Sequence, residues 1–440
     1  MKKLLSLFVA LAMMLSLTAC TTGAPNSTAP AGTPAATVEK PVAAPGETGD
    51  VETIKIGVLF PMSGGSASSG NLSWMGTQMA VDYFNNNGGF KNLNAAVELV
   101  LIDTETKPDV AASAFERLVT EENVIGVVGN FNSATSATCV PMAIKYGVPY
   151  IISACANDNL MEQENDYVYR VGAGNAEVYQ KRIEFIQWLG NATDVKTGSI
   201  IYSADDFGAQ TSESWASVLK DAGIDIILTE SIQGGASDLS GIVNKLKASD
   251  PDLAIVVLNT NEAVLFQKGL KEYNCNVPIL AGGAGYMEPT FIDTVGKDAA
   301  EYVFVNTGWI PDSLSNSPAV ATDLVNEALA KYGYEFAEAS MYAWASTAVL
   351  IDAIDRAGVI DREAVAQALK TTDLDKDHWV NMYTNLSGIK FGTVDGRYNV
   401  NVNVLSFCAQ VVDGEWRIVW PDDNIADNPL VWPIPNWDER

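Results

Sequence analysis

Short apolar runs rich in β-branched residues recur along the chain, each followed by a polar, glycine-containing loop and then by a stretch with apolar residues at helical spacing. Ile54 to Phe60 (IKIGVLF) predicts a strand, and the loop PMSGGSASSG follows it. Asn71 to Asn87 predicts a helix, with Leu72, Met75, Met79 and Phe84 on one side and Gly88-Gly89 as its stop. Val97 to Ile102 predicts the next strand, closed by Asp103, and Pro108 opens a helix through Val119. The unit is plainest from Asn123 to Asn157. The run Val124 to Val128 leads into a Gly-Asn-Phe-Asn-Ser loop, a helical segment, then Gly147-Val148-Pro149 and a second run ending at Ile152. Pro141 inside that helix removes one backbone bond and predicts a kink.

A second series begins near Gly172. Helices are predicted over 176–189, 207–222, 239–248 and 261–272, alternating with strands over 197–202, 225–231 and 253–258. Strands over 279–281 and 302–305, helices over 318–331, 339–357 and 361–370, and several β-type runs from Ile389 to Trp420 complete the chain. Strands this short and apolar, joined by single helices, suit a parallel sheet covered on both faces. Two successive series indicate an α/β protein of two doubly wound, Rossmann-like lobes. About 390 residues after Thr53 also exceed what one core usually spans.

The amino terminus has a different pattern. Lys2 and Lys3 precede an apolar run from Leu4 to Leu17, too short for a membrane span, and then Leu-Thr-Ala-Cys20. Residues 1–19 read as a signal peptide. Residues 20–52, dominated by Thr, Ala, Pro, Gly and Ser, read as a disordered tether that cannot bury a core. Removing residues 1–19 shifts the formal charge from −27 to −29. That acidity argues against nucleic acid and polybasic membrane contacts, and solubility suffices to explain it. Cys139, Cys155, Cys275 and Cys408 are far apart, without metal-site spacing, and are expected as buried free thiols.

In open α/β sheets, ligands sit outside the carboxyl ends of the strands. The loops Gly129–Ser133 and Ser153–Asn157 share that edge. Asn132 or Ser133 is placed to cap the following helix, whose free N–H groups suit a carboxylate or another small acceptor. Neither G-x-G-x-x-G nor a Walker lysine occurs, so no nucleotide cofactor is expected. His378 is the one histidine, and no nucleophile motif, H-E-x-x-H or paired metal carboxylates accompany it, so neither an enzyme nor a metal site is indicated.

The strings IKIGVLFPMSG, GTQMAVDYFNNNGG, DTETKPDVAASAFERLV, VIGVVGNFNSA, YGVPYIISACA, YVYRVG, IIYSADDFGAQ and DLSGIVNKLKASDPDLAIVV occur in this order. As an ordered set they resemble the leucine/isoleucine/valine-binding family of ABC-importer substrate-binding proteins. The resemblance implies a type I periplasmic binding protein fold with three crossovers, near Gly172–Gly174, Val305–Thr307 and Asn399–Asn403. Lobe 1 is then 53–172 plus 307–399, and lobe 2 is 173–306 plus 400–440. The segment ending in Cys20 resembles a bacterial lipobox, which implies lipidation of Cys20 and a mature protein anchored at the outer face of the cytoplasmic membrane. The bland alternative is an ordinary signal peptide with an incidental cysteine.

The same resemblance places the ligand contacts. The family's carboxylate-binding serine falls on Ser133 and its backbone-contact alanine on Ala154. Its threonine falls on Ala156, its ammonium-binding glutamate on Ala284, and its cleft tyrosines on Ser69, Phe207, Asn259 and Tyr342. A hydroxyl and a charge for an α-ammonium are thereby missing, unless a loop movement brings Glu288 or Asp158 into their place. With Asn132 and Asn259 as neutral donors and acceptors, and Phe207, Tyr342, Trp74 or Tyr286 as flat walls, the set suits a carboxylic acid or neutral amide better than a zwitterion. Each residue also has a structural reading. Ser133 can cap its helix, Asp205 and Asp206 can cap theirs, Tyr342 and Trp344 can be core, and Trp74 and Tyr286 can be surface packing. Trp416, Trp420, Trp432 and Trp437 are expected to brace the carboxyl-terminal segment against the second lobe. The implied partners are a small-molecule ligand and the permease and ATPase subunits of an importer, with the binding protein itself a monomer. The alternative is a ligand-sensing module feeding a separate membrane signalling partner.

Overall fold

The computed structural model describes residues 51–316, 319–382, 388–421 and 430–440. The signal segment, Cys20 and nearly all of the tether lie outside these residues. The strands form two sheets, each the centre of an α/β lobe.

The first sheet runs, edge to edge, Asp373–Leu374, Ile389–Val394, Arg397–Asn401, Val168–Arg170, Tyr150–Ile152, Gly126–Gly129, Glu52–Phe60 and Ala95–Asp103. From Arg397–Asn401 to Ala95–Asp103 all neighbours are parallel, and the first two strands add an antiparallel edge. The second sheet runs Glu415–Trp420, Phe407–Val412, Phe304–Thr307, Ile279–Ala281, Leu253–Val257, Thr197–Ser203 and Asp225–Ile232. It is parallel except for its last-added pair. Gly126–Gly129, Tyr150–Ile152 and Leu253–Val257 are buried at every residue, as the uninterrupted apolar runs require. The chain leaves the first sheet after Arg170, returns after Thr307, and crosses again between Asn401 and Phe407.

Each sheet has a core on both faces. One face of the first sheet packs Ile56, Val58 and Phe60 with Leu72 and Met75 of helix Ala67–Asn86 and with Trp344 and Leu350 of helix Glu338–Ala357. These two helices approach closely at Gly76, where an added Cβ would stand 2.1 Å from the Ser340 carbonyl oxygen. Trp344 is a core residue whose indole Nε1 donates to Val380 O at 3.1 Å. In the second lobe Trp416 and Trp437 pack on one face of the sheet and Trp420 and Trp432 on the other. Val431 N donates to Gln410 Oε1 at 3.0 Å, tying the terminal segment to the lobe.

Several boundaries differ from the sequence pattern. The Ser- and Gly-rich stretch read as a loop already turns helical at Ala67, four residues early. Its Gly70 lies so close to Pro61 that a Cβ would meet the carbonyl oxygen at 2.0 Å, a packing reason for glycine that composition alone does not reveal. The three-residue strand Val168–Arg170 had no periodicity long enough to register. Pro141 sits inside helix Ser133–Tyr146 as expected.

Candidate functional site

A cavity of ≈ 280 Å3 lies between the lobes, walled by the strand-end loops of both sheets. Among its lining residues are Ser69, Asn132, Ser133, Ala154, Ala156, Phe207, Asn259 and Tyr342, all positions expected at the cleft. The remaining expected residue, Ala284, belongs to a one-turn 3-10 helix, Ala284–Tyr286, and its side chain lies outside the described residues.

Ser133 is the first residue of its helix, and Asn132 occupies the cap position with extended backbone (φ −85°, ψ 139°). Neither acts as a side-chain cap. The Asn132 amide instead donates to Ser66 Oγ at 2.9 Å, while its Oδ1 is buried with no hydrogen-bond partner among the described residues. The first N–H groups of the helix have no partner within it, which leaves free donors at its head, where Ser133 and Ala134 line the cavity. Beneath them, the Cys155 thiol meets Ser136 Oγ at 2.9 Å, and burial pushes it up to about 12. It is a neutral wall atom, and the other three described cysteines, which do not line the cavity, are likewise free and buried.

On the opposite wall, Asp205 caps helix Asp206–Asp221 by accepting from Gly208 N at 2.8 Å and also holds Asn259 Nδ2 at 2.7 Å. Tyr342 is nearly buried, and burial raises its phenol well above its ordinary value. Beside it stands Glu338, which accepts from Thr307 Oγ1 and Gly308 N, both at 2.8 Å. Burial outweighs these bonds and raises its carboxyl above the usual carboxylate range.

The two proposed substitutes for a missing carboxylate separate cleanly. Asp158 is committed elsewhere: its Oδ1 pairs with Arg170 Nη2 at 3.0 Å and its Oδ2 accepts from Ala176 N at 2.9 Å. Glu288 lines the cavity without any movement of its loop. It is buried and neutralised by no cation within ion-pairing distance among the described residues. Its carboxylate instead accepts from Ser68 Oγ at 2.6 Å, from Ser69 Oγ and, more weakly, from Thr260 Oγ1 at 3.4 Å.

Two aromatic residues offered as walls are elsewhere. Tyr286 is fully buried in the second-lobe core, its ring 4.7 Å from Phe291, because the loop that carries it folds inward. Trp74 packs against the core of the first lobe. Phe131, next to the Asn132 cap, takes the place of a flat wall that they do not supply. The sequence reading also missed Arg182, Glu338 and Ser406. The first two are polar residues on helices, a pattern shared with any solvated face, and nothing local distinguishes them.

Residues 53–406 match the family model described as periplasmic binding protein. The Leu/Ile/Val-binding protein homolog 7 of Brucella abortus (strain 2308) is 27% identical over 386 residues, covering 84% of this chain and 92% of that protein. The branched-chain amino acid transporter substrate-binding protein LivJ of Streptococcus pneumoniae, solved in complex with isoleucine, superposes with a TM-score of 0.70 at 23% identity, covering 84% of this chain and 100% of that one. A solute-binding protein of an ABC transporter from Rhodopseudomonas palustris BisB5, solved with 3,4-dihydroxybenzoic acid, gives 0.70 at 18% identity, over 83% and 95% of the two chains. At these identities the two structures establish a shared fold, the type I periplasmic binding protein fold.

Proposed function

We propose that this chain, which belongs to the periplasmic binding protein family together with the leucine/isoleucine/valine-binding homologues, is the extracytoplasmic solute-binding protein of an ABC importer. It captures a small organic molecule bearing a carboxylate in the interlobe cleft and presents it to a permease. The observation that carries this reading is one cavity walled by both lobes, in which Ser133 and the free N–H groups of its helix form an acceptor-binding corner. The lobes are joined by three segments, a connection that favours hinge bending with the ligand bridging them. Lipidation at Cys20 would hold the monomer at the outer face of the membrane.

The fold relatives carry isoleucine in one case and a dihydroxybenzoic acid in another. This cleft has features of both. Phe131, Phe207 and Tyr342 favour an aromatic or aliphatic acid, and Asn132 and Asn259 accommodate an amide. Glu288, a carboxylate without a cation, favours a second reading in which the ligand is an α-amino acid whose ammonium displaces the serine hydroxyls.

A thermal-shift screen of amino acids, amides, aromatic acids and short peptides tests the assignment. A ligand at about a hundred times its Kd stabilises the native state by about 2.7 kcal/mol. A shift with one of these classes is expected, and none across all four contradicts the reading. Ligand-dependent uptake in cells, against ligand-dependent signalling without uptake, separates import from sensing. Detergent partition of wild type against Cys20→Ser tests the anchor, which fails if both remain in the aqueous phase.

A further inference from the structure

Arg182, on helix Asn175–Thr193 of the second lobe, lines the cavity while only 6% exposed. Its Nε donates to Asn306 Oδ1 at 3.0 Å and its Nη1 to Asn175 Oδ1 at 2.8 Å and Ser214 Oγ at 3.4 Å. Nη2 has no hydrogen-bond partner among the described residues, and no carboxylate there lies within ion-pairing distance of the guanidinium. The same asparagine reaches a second donor: Asn306 Nδ2 donates to Ser406 Oγ at 2.8 Å, which leaves the Ser406 proton without an acceptor among the described residues. Ser406 is also on the cavity wall and nine-tenths buried. Two buried donors are thus held by one amide where the chain crosses between lobes, since Asn306 precedes the second crossing and Ser406 ends the third.

Asp158, the carboxylate whose charge acts on Arg182, does not pair with it. Asp158 and Glu177 both bind Arg170 Nη2, at 3.0 and 2.8 Å. With Arg182 these four groups cancel in formal charge, so the protein tolerates the cation, but both carboxylates are spent on the other arginine. Burial draws Arg182 down to about 10, as expected of a guanidinium removed from water without an adjacent anion.

We propose that Arg182 and the Ser406 hydroxyl form a second oxyanion site at the crossover end of the cleft, and that the physiological ligand is a diacid, with one carboxylate at Ser133 and the other here. The inference rests on the reading of the cleft as a solute site. It makes the ligand itself a bridge between a first-lobe and a second-lobe anion site, which couples binding to closure.

Titration calorimetry on the full mature chain tests it, using linear diacids from malonate to suberate and terephthalate, each beside its matched monoacid. At least one diacid should bind about tenfold or more tighter than its monoacid, the scale of one hydrogen-bonded charge. Arg182→Met should bring that ratio close to one, Arg182→Lys should keep part of it, and Ser406→Ala should lower it. Should Arg182→Met fail to fold, Ser406→Ala decides. If no diacid outbinds its monoacid, or the ratio survives Arg182→Met, the inference is overturned. Binding of monoacids or amino acids without a diacid advantage overturns it alone, whereas no binding by any of them overturns the solute-site reading as well.

Discussion

Glu288 of the second lobe accepts a 2.6 Å hydrogen bond from Ser68 of the first, and Ser69 donates to its other oxygen, so the lobes are joined directly across the mouth of the cleft. Hydrogen bonds to a charged group contribute about 1.5–3 kcal/mol each. Glu288→Ala should therefore shift the ligand-free protein toward an open form, seen as a larger radius of gyration in solution scattering. An unchanged radius would show that the contact does not hold the lobes together.

Arg170 is fully buried and shared by Asp158 and Glu177 just before the first crossing. Burial pulls its guanidinium down, but Glu177 and Asp158 more than offset this and hold it above its ordinary value. Removing one carboxylate leaves an under-compensated buried cation, so Glu177→Ala should cost about 3–5 kcal/mol in chemical denaturation. Lys196→Ala, which breaks the exposed pair with Asp194, should leave stability nearly unchanged by comparison. Equal effects would refute the distinction.

Glu338 gives a pH signature. Its carboxyl is raised by burial, so the folded state holds the proton more tightly than the unfolded chain. Its contribution is fully present below the ordinary value of 4.5 and is lost as pH rises through the folded value. Glu338→Gln keeps an oxygen for Thr307 and Gly308 without the charge. The variant should gain stability relative to wild type as pH rises above 4.5, and the gap should stop growing once the wild-type carboxyl is ionised. A pH-independent difference would contradict this assignment.

The fold was legible because strands buried on both faces leave short apolar runs with loops at fixed edges, as at Gly126–Gly129 and Leu253–Val257. The loops carrying Ser133 and Ala154 could be read for the same reason, since each follows a recognisable strand, whereas Phe207 and Asn259 were legible only through the family resemblance. Side chains placed by tertiary packing could not. Tyr286 looks like a loop aromatic but fills a core, and Ser68 and Ser69 look like loop residues but stand on a helix. Glu288 is four residues beyond the position where the resemblance sought a carboxylate. Arg182 and Glu338 differ from solvated helix residues only in what the other lobe segments bring against them.

The proposed function requires a ligand carboxylate at the head of helix Ser133–Tyr146. Titration calorimetry of leucine, isoleucine, valine, phenylalanine, benzoate and 4-hydroxybenzoate, with the diacids, against wild type and Ser133→Ala tests it most directly. A carboxylate-bearing member should bind, and Ser133→Ala should weaken it by about 1–3 kcal/mol. Binding of undiminished affinity in Ser133→Ala, or heat from none of the acids, would contradict it.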